Sequence, residues 1–263
     1  RKHCEHVANL TCRLCERLHC TKGFTEYCTI CAYLHDIGKQ FIPQSILQKP
    51  SKLTDEEFEV MKTHTTIGYK ICMNDLKLRP YAAGPLYHHE ALNGTGYPQG
   101  LTKKDIPYEG QIIRVADEYD AIVSKRQYKS HIGITDTIKI LIDNTKPFSN
   151  VDSSVAVKYL SENAKLGKDN PIIVKALISV VIEDINYEIS CSLDYLSNLE
   201  STIKRLKIAK DYNDKMLKAS NDKKRQYYFE GVKSYLAPEE NPENFENVLS
   251  EYVIAYDNKK AHI

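Results

Sequence analysis

Apolar residues recur at helical spacing along most of the chain, and no stretch alternates apolar and polar residues long enough to predict a sheet. Thr54, followed by three acidic residues and then an apolar face, is typical of a helix N-terminus. Residues 111–123 are apolar on nearly every side, which predicts a central buried helix. Residues 171–185 are likewise predicted to form a buried helix. The pattern therefore predicts an all-α fold.

The character of the chain changes after about residue 160, and we predict a helical domain over residues 1–160 and a helical extension over residues 161–263. Residues 192–218 are polar apart from apolar side chains spaced by three and four residues: Leu196, Leu199, Ile203 and Leu206. This spacing covers two heptads, which are too few to indicate a coiled coil. We therefore predict an amphipathic helix packed on its own domain, with a homodimer helix as the alternative. Residues 237–244, with two prolines and several glutamates, predict a solvated linker before a last helix over residues 245–256.

The charge and hydropathy of the 263 residues exclude two classes of function. Lys and Arg total 36 against 35 Asp and Glu, so a formal net charge of +1 excludes a basic nucleic-acid coat, and we expect no DNA partner. The best candidate for a membrane span is interrupted by Lys175, Glu183 and Asp184, well short of the roughly 18 apolar residues required. The chain begins with Arg1 and shows no signal peptide, so we expect a fragment of a longer protein.

Six of the eight cysteines lie within the first 31 residues. The pairs Cys12-x2-Cys15 and Cys28-x2-Cys31 have the spacing of a four-thiolate zinc module. The sequence around Cys28 lacks the Gly or Pro of a zinc knuckle and places apolar residues at helical spacing. We therefore interpret these cysteines as core residues, and structural zinc remains the alternative.

Histidine and aspartate residues form a set that suggests metal chemistry. The set contains the doublets His35-Asp36 and His88-His89, with His64 between them in the sequence. Asp117 lies in a predicted buried helix, where a carboxylate needs a cation. Such N and O donors suit iron, manganese or zinc in an open site. Two ions about 3.5–4 Å apart can hold a bridging hydroxide as the nucleophile for phosphate ester hydrolysis. Lys39 would add positive charge beside them.

Five motifs occur in a fixed order: His35-Asp-Ile-Gly-Lys39; Ile46 to Thr54 with Glu56; His64 with Gly68; His88-His-Glu90 with Gly94-Thr-Gly-Tyr-Pro98; and Val115 to Ala121 with Ser124 to Lys129. Together they resemble the HD-GYP subgroup of the HD phosphohydrolase superfamily, over roughly residues 1–150. The resemblance implies an HD-GYP domain with a dinuclear or trinuclear centre, usually iron or manganese. It also implies hydrolysis of cyclic di-GMP to linear pGpG and onward to GMP.

The resemblance assigns roles to individual residues. It implies seven metal ligands: His3, His35, Asp36, His64, His88, His89 and Asp117. His6 is the alternative to His3, and Asp36 and Lys39 would be the catalytic residues. Five residues would contact the substrate: Gly96, Tyr97, Pro98, Arg126 and Lys129. Tyr97 would stack on a guanine or bond to a phosphate, and the two basic side chains suit an anionic ligand.

Some positions depart from the family. The Glu that holds a third metal in some members would precede Arg1, so the sequence supports two ions and leaves a third open. Gln111 stands where the family has an Arg, and Ala91-Leu92 replaces a bulky pair, which would loosen the substrate pocket.

Two alternatives to cyclic di-GMP hydrolysis stay open. The substrate could be 3′3′-cyclic GMP-AMP, because Tyr97 and Arg126 do not by themselves select guanine over adenine. The domain could instead bind the nucleotide without turnover and signal through its helices. The resemblance also implies an upstream sensory or regulatory domain. The substrate class, together with free cysteines, implies the bacterial cytoplasm.

Overall fold

The computed structural model describes residues 2–124, 134–146, 166–238, 240–241 and 244–261. These residues form ten α-helices: α1 (Lys2–Arg17), α2 (Lys22–Leu34), α3 (Gln44–Leu47), α4 (Asp55–Asn74), α5 (Ala83–Tyr87), α6 (Tyr108–Ser124), α7 (Ile134–Asn144), α8 (Pro171–Leu217), α9 (Asp222–Ser234) and α10 (Phe245–Lys260). Two 3-10 helices cover Ile37–Phe41 and Arg79–Tyr81. No strand occurs in the described ranges, where an isolated bridge pairs Asn93 with Thr102. The all-α prediction is confirmed.

The chain divides into two compact units, Arg1–Val181 and Ile182–Ile263. The division falls inside α8, so the start of that helix belongs to the first unit. The sequence-based division at residue 160 lies outside the described residues and stays a prediction. Within the described ranges, no helix combines the length and the hydropathy needed to cross a membrane.

The core of the first unit is built around α6. This helix contacts α1, α2, α5 and α7, and α2 in turn packs on α1 and α5. Four of its apolar side chains are fully buried: Ile112, Ile113, Val115 and Ala116. The prediction of a central buried helix is confirmed, and α6 can present a polar side chain to the middle of the unit.

Helix α4 starts where the sequence predicts. The Thr54 hydroxyl accepts the Glu57 N–H (3.2 Å), and the Glu57 carboxylate accepts the Thr54 N–H (2.7 Å). This capping box satisfies donors that the first turn leaves unpaired.

The N-terminal cysteines contribute to packing between α1 and α2. Cys15, Cys28 and Cys31 are completely buried, and the Cys12 thiol lies 3.9 Å from the Glu16 carboxylate. Their placement favours the interpretation as core residues.

The second unit has its own small core. It consists of the buried side chains Leu206, Ala209, Val232, Phe245 and Leu249. The burial of Leu199 and Leu206 fits an amphipathic helix packed on its own domain, while Ile182, Ile189 and Leu193 of the same helix are about half exposed. Glu240 is not solvated as the linker prediction implied, because Arg205 binds it at 2.6 and 2.7 Å.

Candidate metal centre and active site

All seven residues predicted as metal ligands lie in the described part of the chain, and the structure brings them together. His3 comes from α1, His64 from α4 and Asp117 from α6. The doublet His35-Asp36 follows the end of α2, and the doublet His88-His89 follows α5. Their donor atoms form three overlapping groups: His64, His88, His89; His3, His35, Asp117; and His35, Asp36, His88.

Backbone carbonyl groups orient three of the buried imidazole rings. Nδ1 of His35 donates to Ala32 O (2.5 Å), and Nδ1 of His64 donates to Met61 O (2.7 Å). Nδ1 of His88 lies 3.0 Å from Gly84 O. Because a carbonyl oxygen only accepts, each Nδ1 carries a proton and each Nε2 faces the centre.

Asp36 lies between two pairs of histidines and directs one carboxylate oxygen to each pair. Its Oδ1 is 3.5 Å from His64 Nε2 and 3.8 Å from His88 Nε2. Its Oδ2 is 3.3 Å from His35 Nε2 and 3.6 Å from His3 Nε2. This is how a carboxylate shared by two cations would be placed.

The chemistry of the donors fits divalent metal ions. His64 Nε2 and His88 Nε2 are 3.2 Å apart, close to the roughly 3.3 Å that separates two nitrogens bound to one tetrahedral ion. Burial lowers the pKa of both rings, and it lowers the pKa of His89 to about 3, so these ligands are neutral. His35 Nε2 and Asp36 Oδ1 are among the buried side-chain atoms of the described residues that lack a hydrogen-bond partner. Buried polar atoms of this kind are the ones a cation would satisfy.

His3 is held by two carboxylates, one of which sequence reasoning missed. Its Nε2 lies 3.1 Å from Asp117 Oδ1, and its Nδ1 lies 2.6 Å from Asp120 Oδ2. The hydrogen bond to Asp117, aided by that to Asp120, outweighs burial and raises the pKa of His3 to about 9. The more exposed His6 reaches only the other oxygen of Asp120, at 3.4 Å. The geometry favours His3 over His6 as the donor.

Lys39 lies beside the centre on the 3-10 helix that follows Asp36. Its Nζ is 2.7 Å from Asp36 Oδ2. Burial alone would raise the pKa of Asp36, but the adjacent His35 ring and the charge of Lys39 hold it well below its usual range. Asp36 is therefore a carboxylate with both oxygens available as acceptors.

The Gly-Tyr-Pro loop is held against the His88-His89 doublet. The Tyr97 ring stacks on the His89 ring with centroids 4.6 Å apart, and the Tyr97 N–H donates to His89 O (3.1 Å). A Cβ on Gly96 would lie 2.5 Å from the same oxygen, so glycine is required there. The buried Glu90 carboxylate accepts the N–H groups of Gln99 (2.7 Å) and Leu101 (2.8 Å). Pro98 follows Tyr97 through a cis peptide bond.

Two of the predicted substrate contacts, Arg126 and Lys129, lie outside the described residues. Other residues near the site were not anticipated. The Phe58 ring is edge-on to Tyr97 with centroids 6.0 Å apart, and Lys62 Nζ lies 5.0 Å from the centre of the Phe58 ring. Their sequence signal is slight, because an aromatic and a lysine on a predicted amphipathic helix are ordinary surface residues.

Arg114 is the other unexpected residue. It lies in α6 three residues after Gln111, whose side-chain amide donates to Ile106 O (3.0 Å). Arg114 Nε donates to Asp169 Oδ1 (2.7 Å), and its Nη1 lies 3.4 Å from His89 O. An arginine inside an apolar helix requires an acidic partner. This requirement is the feature of the sequence from which the role of Arg114 could have been predicted.

Comparisons with known proteins agree with this geometry. A family model described as HD domain matches residues 1–155. A cyclic di-GMP phosphodiesterase of Thermotoga maritima is 47% identical over 131 residues, which cover 49% of this chain and 36% of that protein. The cyclic di-GMP phosphodiesterase response regulator RpfG of Xanthomonas campestris is 42% identical over 126 residues, covering 47% and 32%. A 3′3′-cGAMP-specific phosphodiesterase 2 of Vibrio cholerae is 39% identical over 121 residues, covering 44% and 23%.

The chain therefore spans about a third of the length of these relatives, or less. Among solved structures, Bd1817, an HDG"Y"P protein from Bdellovibrio bacteriovorus, matches with a TM-score of 0.51 at 21% identity. The match covers 68% of this chain and 51% of Bd1817, and it supports the fold. With the family match extending over more than half of its residues and the motifs in their expected order, this chain belongs to the HD domain family.

Proposed function

We propose that this chain is a metal-dependent phosphodiesterase that hydrolyses cyclic di-GMP to pGpG, GMP or both. The observation that supports it is the convergence of seven N and O donor residues, among them Asp36, whose two oxygens face different histidines. Relatives named cyclic di-GMP phosphodiesterases add support, since they match the segment that contains these donors.

The proposed centre holds two divalent cations, iron or manganese. His64, His88 and His89 would hold one ion, His3, His35 and Asp117 the other, with Asp36 shared between them. When bound, such ions lower the pKa of water to supply the nucleophile and neutralise the oxygens of the phosphodiester.

The chain's own residues have defined tasks in this proposal. Lys39 Nζ, already beside Asp36, would contribute positive charge to a non-bridging phosphoryl oxygen as negative charge builds. Burial raises the pKa of Tyr97, so its phenol keeps the proton on the hydroxyl oxygen and can donate it to the substrate. Because His89 covers one face of the Tyr97 ring, a guanine would have to stack on the opposite face. Arg126 and Lys129 are proposed to contact the phosphates.

The test is anaerobic reconstitution of the chain with iron or manganese, incubation with cyclic di-GMP, and chromatography of pGpG and GMP. The control carries His35→Ala and Asp36→Ala. We expect product from the wild type and none from the control. Intact cyclic di-GMP after incubation with a chain whose bound metal has been measured would contradict the proposal.

A second candidate substrate is 3′3′-cyclic GMP-AMP. Its support is the similarity to two Vibrio cholerae proteins named 3′3′-cGAMP-specific phosphodiesterases, 39% and 32% identical over about half of this chain. Competition kinetics with both cyclic dinucleotides decide between them, and a large preference for the mixed nucleotide would replace cyclic di-GMP as the substrate.

The remaining sequence-based expectations stay predictions. Binding of the nucleotide without turnover would indicate the quiet signalling module. A homodimer, an upstream sensory domain and location in the bacterial cytoplasm are each open to direct measurement on the full-length protein.

A further inference from the structure

Residues 168–170, which we term the strap, lie beyond the family match yet bond to elements of the candidate site. The carbonyl oxygen of Lys168 accepts the Leu92 N–H (2.9 Å), three residues after the histidine doublet. Asn170 Nδ2 donates to Gln111 Oε1 in α6 (2.9 Å). The strap is thus attached to the segment that follows His88-His89 and to α6, which carries Asp117.

The strap also provides the acidic partner of Arg114. The Asp169 side chain is completely buried, and its Oδ1 accepts from Arg114 Nε (2.7 Å). The Arg114 side chain is 15% exposed, and its Nη2 lies 3.6 Å from Glu118 Oε2. Because a charge left alone in such surroundings is costly, the Asp169 carboxylate fixes the position of the guanidinium.

The third contact of Arg114 reaches the site itself. Its Nη1 lies 3.4 Å from the main-chain oxygen of His89, which also accepts the Tyr97 N–H (3.1 Å). One carbonyl group therefore connects the guanidinium, a candidate metal ligand and the tyrosine stacked on that ligand.

We propose that Arg114, anchored by Asp169 of the strap, is a positioning residue that sets the stacked His89–Tyr97 pair for the cyclic dinucleotide. This inference rests on the proposed phosphodiesterase function. Arg114 acts through the His89 carbonyl because its nitrogens already face Asp169 and Glu118. A lysine would keep the charge but lacks the planar fork that serves a carboxylate and a carbonyl at once.

The kinetic test compares Arg114→Gln, Arg114→Lys and Asp169→Asn in the metal-loaded chain. We expect Arg114→Gln to raise KM about tenfold, the effect of losing one hydrogen bond to a charged group, while kcat and metal content change little. The KM of Arg114→Lys should lie between those of Arg114→Gln and the wild type. The double variant Arg114→Gln/Asp169→Asn should raise KM no further than Arg114→Gln, since both act through one carbonyl.

The matched control is Arg205→Gln in the second unit. Arg205 also binds a carboxylate, of Glu240, and a backbone carbonyl, of Tyr235 (2.6 Å). Its loss should leave KM unchanged. Parallel loss of kcat and metal content in Arg114→Gln, at unchanged KM, would indicate a merely structural role and overturn the proposal.

Hydrogen exchange gives a readout that needs no turnover. The peptide over residues 94–101 contains the Tyr97 N–H, and its exchange should be faster in the Arg114 and Asp169 variants but unchanged in Arg205→Gln. Wild-type exchange in those variants would overturn the positioning role. If the wild type shows no turnover, the proposed function fails, while exchange still decides the positioning role. If Arg114→Gln does not fold, Arg114→Lys and Asp169→Asn provide the same comparison.

Discussion

Replacing Glu90 by glutamine should release the Gly-Tyr-Pro loop from its buried anchor. The carboxylate is 1% exposed, and its two oxygens accept separate backbone N–H groups from Gln99 and Leu101. An amide offers one oxygen and turns an NH2 group towards the other donor, so one bond is lost and two donors face each other. A hydrogen bond to a charged group contributes about 1.5–3 kcal/mol, and we expect Glu90→Gln to cost about 2–3 kcal/mol.

The assay is urea and thermal unfolding of the metal-free chain, followed by circular dichroism. For a unit of this size the expected cost corresponds to a fall in Tm of about 4–12 °C. The control is Glu57→Gln in the capping box of α4, where the amide oxygen can still accept the Thr54 N–H, and it should cost less stability than Glu90→Gln. A cost below about 0.5 kcal/mol for Glu90→Gln would refute the assignment of the two bonds as the anchor.

Three further predictions concern other contacts of the two units. Gly96→Ala should raise KM severalfold in steady-state kinetics, because its methyl group would press on the backbone of residues 89–91. Asp120→Asn should weaken metal binding about 10–100-fold in a chelator competition, since His3 loses the carboxylate that orients its ring. Glu240 has a pKa lowered chiefly by the hydrogen bond from its arginine partner, so its contribution to the second unit is present above pH 4.5 and lost as the pH falls through its folded value. Acid titration of unfolding stability should show this loss in the wild type and not in Glu240→Gln.

Four of the seven candidate ligands were predictable from sequence because they lie in two short doublets, whereas His3 was assigned through the family resemblance. His35-Asp36 and His88-His89 each follow directly after a helix. Two neighbouring donors at one place can be recognised without knowing the tertiary fold. The capping box at Thr54 was equally local. Asp117 was noticed because a carboxylate in an apolar helix requires a partner.

The supporting contacts were not predictable, because each joins residues far apart in the chain. Asp120 meets His3 across 117 positions, and Arg114 meets Asp169 across 55. Periodicity also missed the continuity of α8, which runs for 47 residues although its apolar pattern changes along the way. Helix propensity in the polar stretch maintains the helix where the apolar pattern lapses.

The donors around Asp36 come from α1, α4, α6 and two interhelical turns, so ions bound there would cross-link segments that separate when the chain unfolds. Ligands that bind only the native state stabilise it by mass action, and each tenfold rise in free metal above Kd adds about 1.4 kcal/mol. A chain starved of metal would spend more time unfolded and exposed to proteases. Metal supply would then set how much of the protein a cell retains, as well as how fast each molecule works.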